Sequence, residues 1–296
     1  MSLACSMGIM AYNEESNIGQ LLQAVTSHQS ESVFISEIVV VASGCTDNTQ
    51  SIVEEWEKFD SRVRLIVQKK REGKASAINH FLAEARERIV VLCSADLLPA
   101  PGSIEHLVAP FADPEVGMTT GKPVPVNDPS SFTGFAAHLL WELHHQVNLT
   151  SFKAGEMIAI RKIFERIPYS TAVDEASMEP VIRGQGYEAR YVPAAIVHNK
   201  GPETLNDFLS QRRRIYAGHK AVRDTLGYTV STMSGWKVLK VVVRNLDWRP
   251  RPFCWTWAVA GLEVYARVLG ARDYKNRRDH HVWEIAKTTK ELKRAS

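Results

Sequence analysis

Asp174 and Glu175 stand side by side ahead of a stretch with helical character. A carboxylate there can act as a general base if a hydroxyl donor comes within hydrogen-bond reach. The plainer alternative is an acidic first turn that complements a helix dipole. Asp96 follows the apolar run Ile89–Cys93 and precedes Leu97-Leu98-Pro99. A carboxylate at the carboxyl edge of a strand suits magnesium or manganese, because hard cations prefer oxygen; a turn or capping aspartate has the same appearance. Gly44-Cys45-Thr46-Asp47-Asn48-Thr49 also links a strand-like run to a helical one. Backbone N–H groups at such a helix start can hold phosphate or carboxylate, and otherwise the segment is a capped turn. It lacks the glycines and the Gly-Lys-Ser/Thr of a P-loop or dinucleotide fingerprint. Lys74, in Arg71-Glu72-Gly73-Lys74, can contact a phosphate or stay a solvated surface lysine. Gln211-Arg212-Arg213-Arg214 can clamp phosphates, since guanidinium matches phosphate geometry, or can simply face water. His198 is a lone histidine after Ala194–Val197, a ligand or a structural group.

These residues need elements to position them, and the first half of the chain has a regular plan. Strand-like runs at Ser6–Met10, Glu37–Ala42, Val63–Val67 and Ile89–Cys93 alternate with helical patterns at Asn17–Ser27, after Thr46-Asp47 through Ile52, Val53 and Trp56, at Lys74–Arg86 and at Ser103–Pro110. Strand–helix alternation at this spacing implies right-handed crossovers and a mainly parallel sheet. Ligands bind such sheets beyond the carboxyl ends of the strands, where this chain has Tyr12-Asn13-Glu14, Ser43-Gly44-Cys45 and Ser94-Ala95-Asp96. The second half is less regular. Helices are expected at Ser131–Leu149, Glu175–Arg183 (despite Pro180) and Leu205–Leu226, and strands at Met157–Ile160 and Glu188–Val192. The run Trp248-Arg249-Pro250-Arg251-Pro252 reads as a proline break.

Composition bounds the function classes. The 296 residues are 45% hydrophobic and 23% charged, a globular balance that argues against a disordered, collagen-like or disulfide-scaffold protein. The four cysteines are far apart, which disfavours cysteine zinc sites and redox motifs and fits a reducing compartment. No secretory signal and no simple membrane-spanning run is apparent. The net charge of +3 conceals an asymmetry. From Gln211 onward there are 19 Lys and Arg against 7 Asp and Glu, together with five of the seven tryptophans: Trp236, Trp248, Trp255, Trp257 and Trp283. A basic, Trp-rich end points to an anionic partner.

Taken in order, Ala-Tyr-Asn-Glu after the first strand, Ser-Gly-Cys-Thr-Asp-Asn-Thr after the second, Gly-Lys-Ala-x-Ala-Ile-Asn at a helix start, Ser-Ala-Asp, Asp-Glu ahead of Gly186-Tyr187, and Gln-Arg-Arg-Arg resemble the family 2 inverting glycosyltransferases. The resemblance covers about Ser6 to Gly218. It implies an α/β chain with the GT-A (nucleotide-diphospho-sugar transferase) fold: a mainly parallel central sheet flanked by helices, with a helical C-terminal extension. The implied division is a catalytic domain over 1–226, its nucleotide-sugar half about 1–122 and its acceptor half about 123–226, followed by the basic extension 227–296. Ala11, Tyr12 and Glu14 match the segment lining base and ribose. Ser43 stands where many members carry a uracil-reading aspartate. Lys74 matches the lysine near the nucleotide. Ser94-Ala95-Asp96 replaces Asp-x-Asp, so Asp96 keeps the metal-binding carboxylate that Ser94 has lost. His198 resembles the late histidine of the metal site, and Gly155-Glu156 the segment beside the acceptor. Glu175, with Asp174 beside it, takes the catalytic-base position. Gln211 and Arg214 match Gln-x-x-Arg-Trp with Ile215 in place of Trp, which argues against a processive polymerase.

The implied function is transfer of a sugar from a nucleotide-diphosphate sugar to an acceptor hydroxyl, assisted by Mg2+ or Mn2+. The competing readings are a non-catalytic nucleotide-sugar-binding relic, kept alive by Ser43 and Ser94, and a nucleotidyltransferase, whose Gly-rich loop after strand one is absent. No nucleic-acid partner is expected, because no recognised motif supports one. Phe253–Ala271 is apolar apart from Glu263 and Arg267, i,i+4 neighbours able to pair. Burying both charges in a bilayer is costly, whereas an interfacial helix combines Trp with Lys and Arg as here. This leaves two compatible expectations. One is a cytoplasmic enzyme peripheral to the membrane face, serving a sugar or lipid-linked acceptor. The other is a helix packed on the catalytic domain or in a homodimer.

Overall fold

A computed structural model describes residues 2–168, 173–233, 235–276, 289–290 and 292. Trp283, among the tail tryptophans, lies outside them. Among the described residues are eight strands, β1 (Leu3–Ala11), β2 (Val33–Ser43), β3 (Val63–Gln68), β4 (Ile89–Ser94), β5 (Leu98–Pro99), β6 (Val116–Pro125), β7 (Ile158–Arg161) and β8 (Glu188–Asn199), forming one sheet in the order β3-β2-β1-β4-β7-β6-β8-β5. The helices are α1 (Ile18–Thr26), α2 (Thr49–Phe59), α3 (Lys74–Glu84), α4 (Ser103–Val108), α5 (Phe132–Asn148), α6 (Asp174–Gly184), α7 (Leu205–Leu226), α8 (Gly235–Arg244) and α9 (Pro250–Lys275).

Strict alternation along β1 and β2 explains the layering, because successive side chains of a strand face opposite ways. Met7, Ile9, Ile38 and Val40 pack with Leu21 and Leu22 of α1, Val53 of α2 and Leu107 of α4. Val39, Val41 and, on β4, Val90 and Leu92 pack with Ile78, Phe81 and Leu82 of α3 and Met178 and Ile182 of α6. Both faces are covered, which is why these strands read as continuous apolar runs. Gly8 is required by this packing: a Cβ there would lie 2.4 Å from the Phe81 ring.

The parallel half of the sheet matches expectation, since β1 pairs in parallel with β2 and β4, and β2 with β3. The other half makes the sheet mixed. β7 runs antiparallel between β4 and β6, β5 runs antiparallel to β8, and β6 and β8 are parallel. Three elements stand where no expectation was made, β5, β6 and α8. The proline break is a helix start: Pro250 sits in the first turn of α9, where a missing N–H costs nothing. A third packing group joins α5, α7 and α9 through Ala136, Phe208 and Val259. Trp255 closes it against Phe132 and Phe135, at ring separations of 5.6 and 5.4 Å. Among the described residues no helix is long and apolar enough to cross a membrane.

Candidate active site

Parallel pairing brings three strand ends to one edge. Met10 is level with Ser94, Ala11 with Ala42, and Ser43 with Gln68, while Ala95 N–H donates to the Met10 carbonyl at 3.0 Å. Tyr12, Ser43 and Asp96 therefore converge although 31 to 84 positions separate them. With Lys74 at the start of α3, Glu156 ahead of β7, and Gln211 and Arg214 on α7, they line one cavity of about 970 Å³. Ala11, Glu14 and Ser94 line it too.

The two loops above this edge lock each other. Asn13 adopts φ 51°, a left-handed conformation that asparagine tolerates better than most residues. Its Oδ1 accepts from Thr46 N–H at 2.8 Å, Glu15 Oε2 from Asn48 N–H at 3.0 Å, and Asp47 Oδ1 from Thr49 N–H at 3.1 Å. These N–H groups at the start of α2 already have partners within the protein, so the capped-turn reading of Gly44–Thr49 replaces the phosphate cradle. Gly44 is needed twice over: φ is 66°, and a Cβ would lie 2.5 Å from Arg71 N.

Charge concentrates beneath the loops. Lys74 Nζ lies 2.8 Å from Glu175 Oε1 and 3.5 Å from Asp174 Oδ2. Burial works against the Lys74 ammonium, yet Glu175 and Asp174 hold its pKa above the ordinary lysine value. Asp174 is buried, and its Oδ1 has no hydrogen-bond partner among the described residues. Burial raises its pKa, with Lys74 opposing. Burial and then Asp96 push Glu156 up to about 7. Arg214 is lowered to about 10 by burial, against the pull of Glu156, Asp174, Glu175 and Asp96. Asp174 and Glu175 do not themselves line the cavity and meet it through Lys74. Ser43 Oγ, on the cavity wall, is buried without a partner among the described residues.

Gly155 N–H donates to Thr120 Oγ1 at 2.8 Å, which fixes the turn that presents Glu156. His198 does not line the cavity that Asp96 lines. It pairs with Leu98 across β8 and β5 and lines a second cavity with Pro99 and Asn127, while its neighbours Asn199 and Lys200 line the first. Among the described residues no three His, Cys, Asp or Glu side chains come together as a metal cage. The arginine run divides. Arg212 makes two hydrogen bonds to Glu263 (2.7 and 2.9 Å) and Arg213 two to Asp273 (2.9 and 2.8 Å), tying α7 to α9.

Three residues outside the sequence reading join the site. Arg71 stacks over the Tyr12 ring at 4.3 Å. Lys290 donates to the Tyr12 carbonyl at 2.6 Å and forms an ion pair with Glu14. Lys153 lines the cavity from the α5–β7 connection. The run Arg71–Lys74 held the only local signal for any of them, its basic character beside a helix start.

The chain matches the family model Glycosyl transferase family 2 over residues 6–169 and Glycosyl transferase family group 2 over residues 89–269. It is 24% identical over 238 residues to the poly-beta-1,6-N-acetyl-D-glucosamine synthase of Staphylococcus aureus (strain COL), covering 76% of this chain and 57% of that protein. It is 27% identical over 238 residues to the probable glycosyltransferase YdaM of Bacillus subtilis (strain 168), covering 73% and 55%. The chain thus spans little more than half the length of these curated relatives. Among solved structures, a mannosyltransferase from Pyrobaculum calidifontis, in complex with GDP-Man and Mn2+, superposes with a TM-score of 0.59 at 22% identity, covering 99% of this chain and 88% of that one. Glucosyl-3-phosphoglycerate synthase from Mycobacterium tuberculosis, with Mn2+, UDP-Glc and phosphoglyceric acid, gives 0.52 at 19% identity, covering 72% and 78%. At these identities the likeness is one of fold, and the fold is GT-A. Since the family model spans more than half of the residues, the chain belongs to glycosyl transferase family 2.

Proposed function

We propose that this chain moves a sugar from a nucleotide-diphosphate sugar to an acceptor hydroxyl by a single inverting displacement. The observation that carries the reading is the convergence on one cavity of Tyr12, Ser43, Asp96 and Lys74, with Lys74 2.8 Å from Glu175. The donor base and ribose lie against Tyr12 and the buried Ser43 hydroxyl, and the diphosphate lies near Asp96, Lys74 and Arg214. The mannosyltransferase with GDP-Man and the synthase with UDP-Glc make guanosine and uridine donors the first to test.

A divalent cation fits Asp96 in one arrangement. Mg2+ is commonly held by one or two carboxylates, with substrate phosphate oxygens completing the shell. The negative field of Asp96, which acts with burial to raise Glu156, is what such a cation offsets. When bound, Mg2+ or Mn2+ supplies positive charge against the leaving diphosphate. His198 has no part in this reading, because it lines the other cavity.

Glu175 takes the proton from the acceptor hydroxyl. The acceptor oxygen bonds to the anomeric carbon from one face while the bond to the diphosphate breaks on the other. Asp174 and Lys74 position Glu175, and Lys74 and Arg214 offset charge developing on the diphosphate. Gly155 and Glu156 border the acceptor. The exposed apolar and basic surface of α8 and α9 favours an acceptor that is lipid-linked or close to a membrane.

A thermal-shift panel of UDP-, GDP-, CMP- and dTDP-sugars, each with Mg2+, Mn2+ or EDTA, tests the donor half. A ligand that binds only the folded state adds about 2.7 kcal/mol at a hundredfold excess over Kd. A metal-dependent shift with one nucleotide is expected, and no shift with any donor at millimolar concentration overturns the proposal.

A further inference from the structure

The cavity has two characters. Its charged lining holds Asp96, Lys74, Glu156 and Arg214. Its lining also includes an apolar wall made by Leu140 and Leu143 of α5, Leu239 and Val242 of α8, and Val259 and Ala260 of α9. That apolar wall does not close. Leu239, Trp257 and Val264 line the cavity and are also 39%, 42% and 62% exposed, so the wall continues onto the outer surface. There Trp236 and Val243 extend the apolar patch, with Lys240 and Arg244 exposed beside them. A sugar alone offers nothing to such a wall, whereas an alkyl chain does.

Lys153 lines the same cavity. Its backbone is held by Asn148, whose Oδ1 accepts from Lys153 N–H at 2.8 Å. Its side chain lines the cavity and makes no ion pair or hydrogen bond among the described residues. The cations around it are committed. Arg212 and Arg267 share Glu263 at 2.7 and 3.0 Å, and Lys74 serves the acid pair. The groups facing Lys153 electrostatically are Arg212 and Arg267, which repel it, and Glu263 and Glu175, which attract it. Burial and then Arg212 lower its pKa to about 8, so an anion brought to the ammonium gains a poorly solvated partner.

We propose that Lys153 reads a phosphate on the acceptor, and that the acceptor is a phosphate-bearing lipid whose apolar chain leaves the cavity between α8 and α9. This rests on the transferase reading above and adds the acceptor's chemical class to it. The reaction is unchanged: the lipid hydroxyl loses its proton to Glu175, bonds to the anomeric carbon, and nucleoside diphosphate leaves.

The test measures binding to the full chain by titration calorimetry, with dodecyl phosphate below its micelle concentration, dodecyl maltoside and inorganic phosphate as probes. Dodecyl phosphate is expected to bind more tightly than either control. Lys153→Ala is expected to weaken it by about 10- to 100-fold, the loss of one hydrogen bond to a charged group, and Lys153→Arg to retain it. Lys153→Met, which keeps the aliphatic stem, replaces the alanine variant if that one does not fold. Equal binding of dodecyl phosphate by the wild type and Lys153→Ala overturns the proposal. So does inorganic phosphate binding as tightly as dodecyl phosphate, since the apolar wall then reads nothing, or dodecyl maltoside doing so, since the charge then reads nothing. The nucleotide-sugar thermal shift of the wild type is a separate measurement. Its failure would fall on the transferase reading and leave the alkyl phosphate result standing.

Discussion

Glu175 and Glu156 are both glutamates of one charged cluster, but their surroundings give them different work. Glu156 is pushed up by burial and by Asp96, whereas Glu175 sits in direct contact with the Lys74 ammonium at 2.8 Å. The Lys74 contact fixes the position of the Glu175 carboxylate. Glu175→Gln preserves shape while removing the proton-accepting charge and, with it, the ion pair to Lys74. A positioned base is worth about 10²–10⁴-fold, so kcat should fall by that factor while the donor-induced thermal shift persists. Single-turnover sugar transfer read against that shift checks it, and near-normal turnover sinks the assignment. Much of the neighbourhood was legible beforehand, because Tyr12, Ser43 and Asp96 sit at strand ends that parallel pairing must gather. The family resemblance, not the local sequence, is what places His198 in the same site. In β8 it faces a different cavity from Asn199 and Lys200, a distinction set by where the strand ends and not by residue type.

The tie between α7 and α9 belongs to the scale of elements. Glu263 accepts from Arg212 on α7 and from Arg267 one turn along α9. Burial opposes its charge, but Arg212 and then Arg267 bring its pKa from 4.5 down to about 2. A carboxylate depressed on folding contributes stability that is full above its unfolded value and fades as pH falls toward its folded one. The contribution here is on the order of 3 kcal/mol. Glu263→Gln should therefore be less stable than the wild type at pH 7, and the gap should narrow between pH 5 and 2. Urea titrations of both proteins across that range measure it, and a constant gap would show that the tie is not electrostatic. The i,i+4 pairing of Glu263 with Arg267 was readable from spacing, whereas the longer reach of Arg212 was not. β6 escaped notice for another reason. Its sequence, Val-Gly-Met-Thr-Thr-Gly-Lys-Pro-Val-Pro, has neither an apolar run nor alternation. Small residues serve there because neighbours come close: a Cβ on Gly121 would lie 2.3 Å from the Ala195 carbonyl.

For the whole molecule, the basic, Trp-rich end has two roles. Part of it packs: Trp255 is held against α5, and Arg212 and Arg213 are spent on α9. Part of it faces outward, with Trp236 and Trp248 77% and 76% exposed near Lys240, Arg244 and Arg249. An interfacial helix draws on both apolar area and attraction to anionic lipid. The full chain should co-sediment with phosphatidylglycerol vesicles at low salt and be released at about 1 M salt, where the Debye length is near 3 Å. Equal retention by phosphatidylcholine vesicles would remove the charge from the argument.

The chain's far end also returns to its beginning. Lys290 meets Glu14 across 276 positions, Leu292 N–H donates to Asn17 Oδ1 at 3.0 Å, and Asn17 Nδ2 donates to the Lys290 carbonyl at 2.6 Å. No local spacing announces a contact of that span, so only the folded chain reveals it. Glu14 is buried, and burial and then Asp96 raise its pKa, with Lys290 opposing both. Removing the ammonium leaves a buried carboxylate short of its cation. Lys290→Met should therefore destabilise by about 1–3 kcal/mol. Glu14→Gln in the same chain should recover part of the loss, because the uncompensated charge has gone as well. A double-mutant cycle by thermal denaturation measures the coupling. If the two single losses simply add, Lys290 and Glu14 act independently, and Lys290 and Leu292 are held at this edge of the sheet by their other contacts, with Asn17, Gln20 and Tyr12.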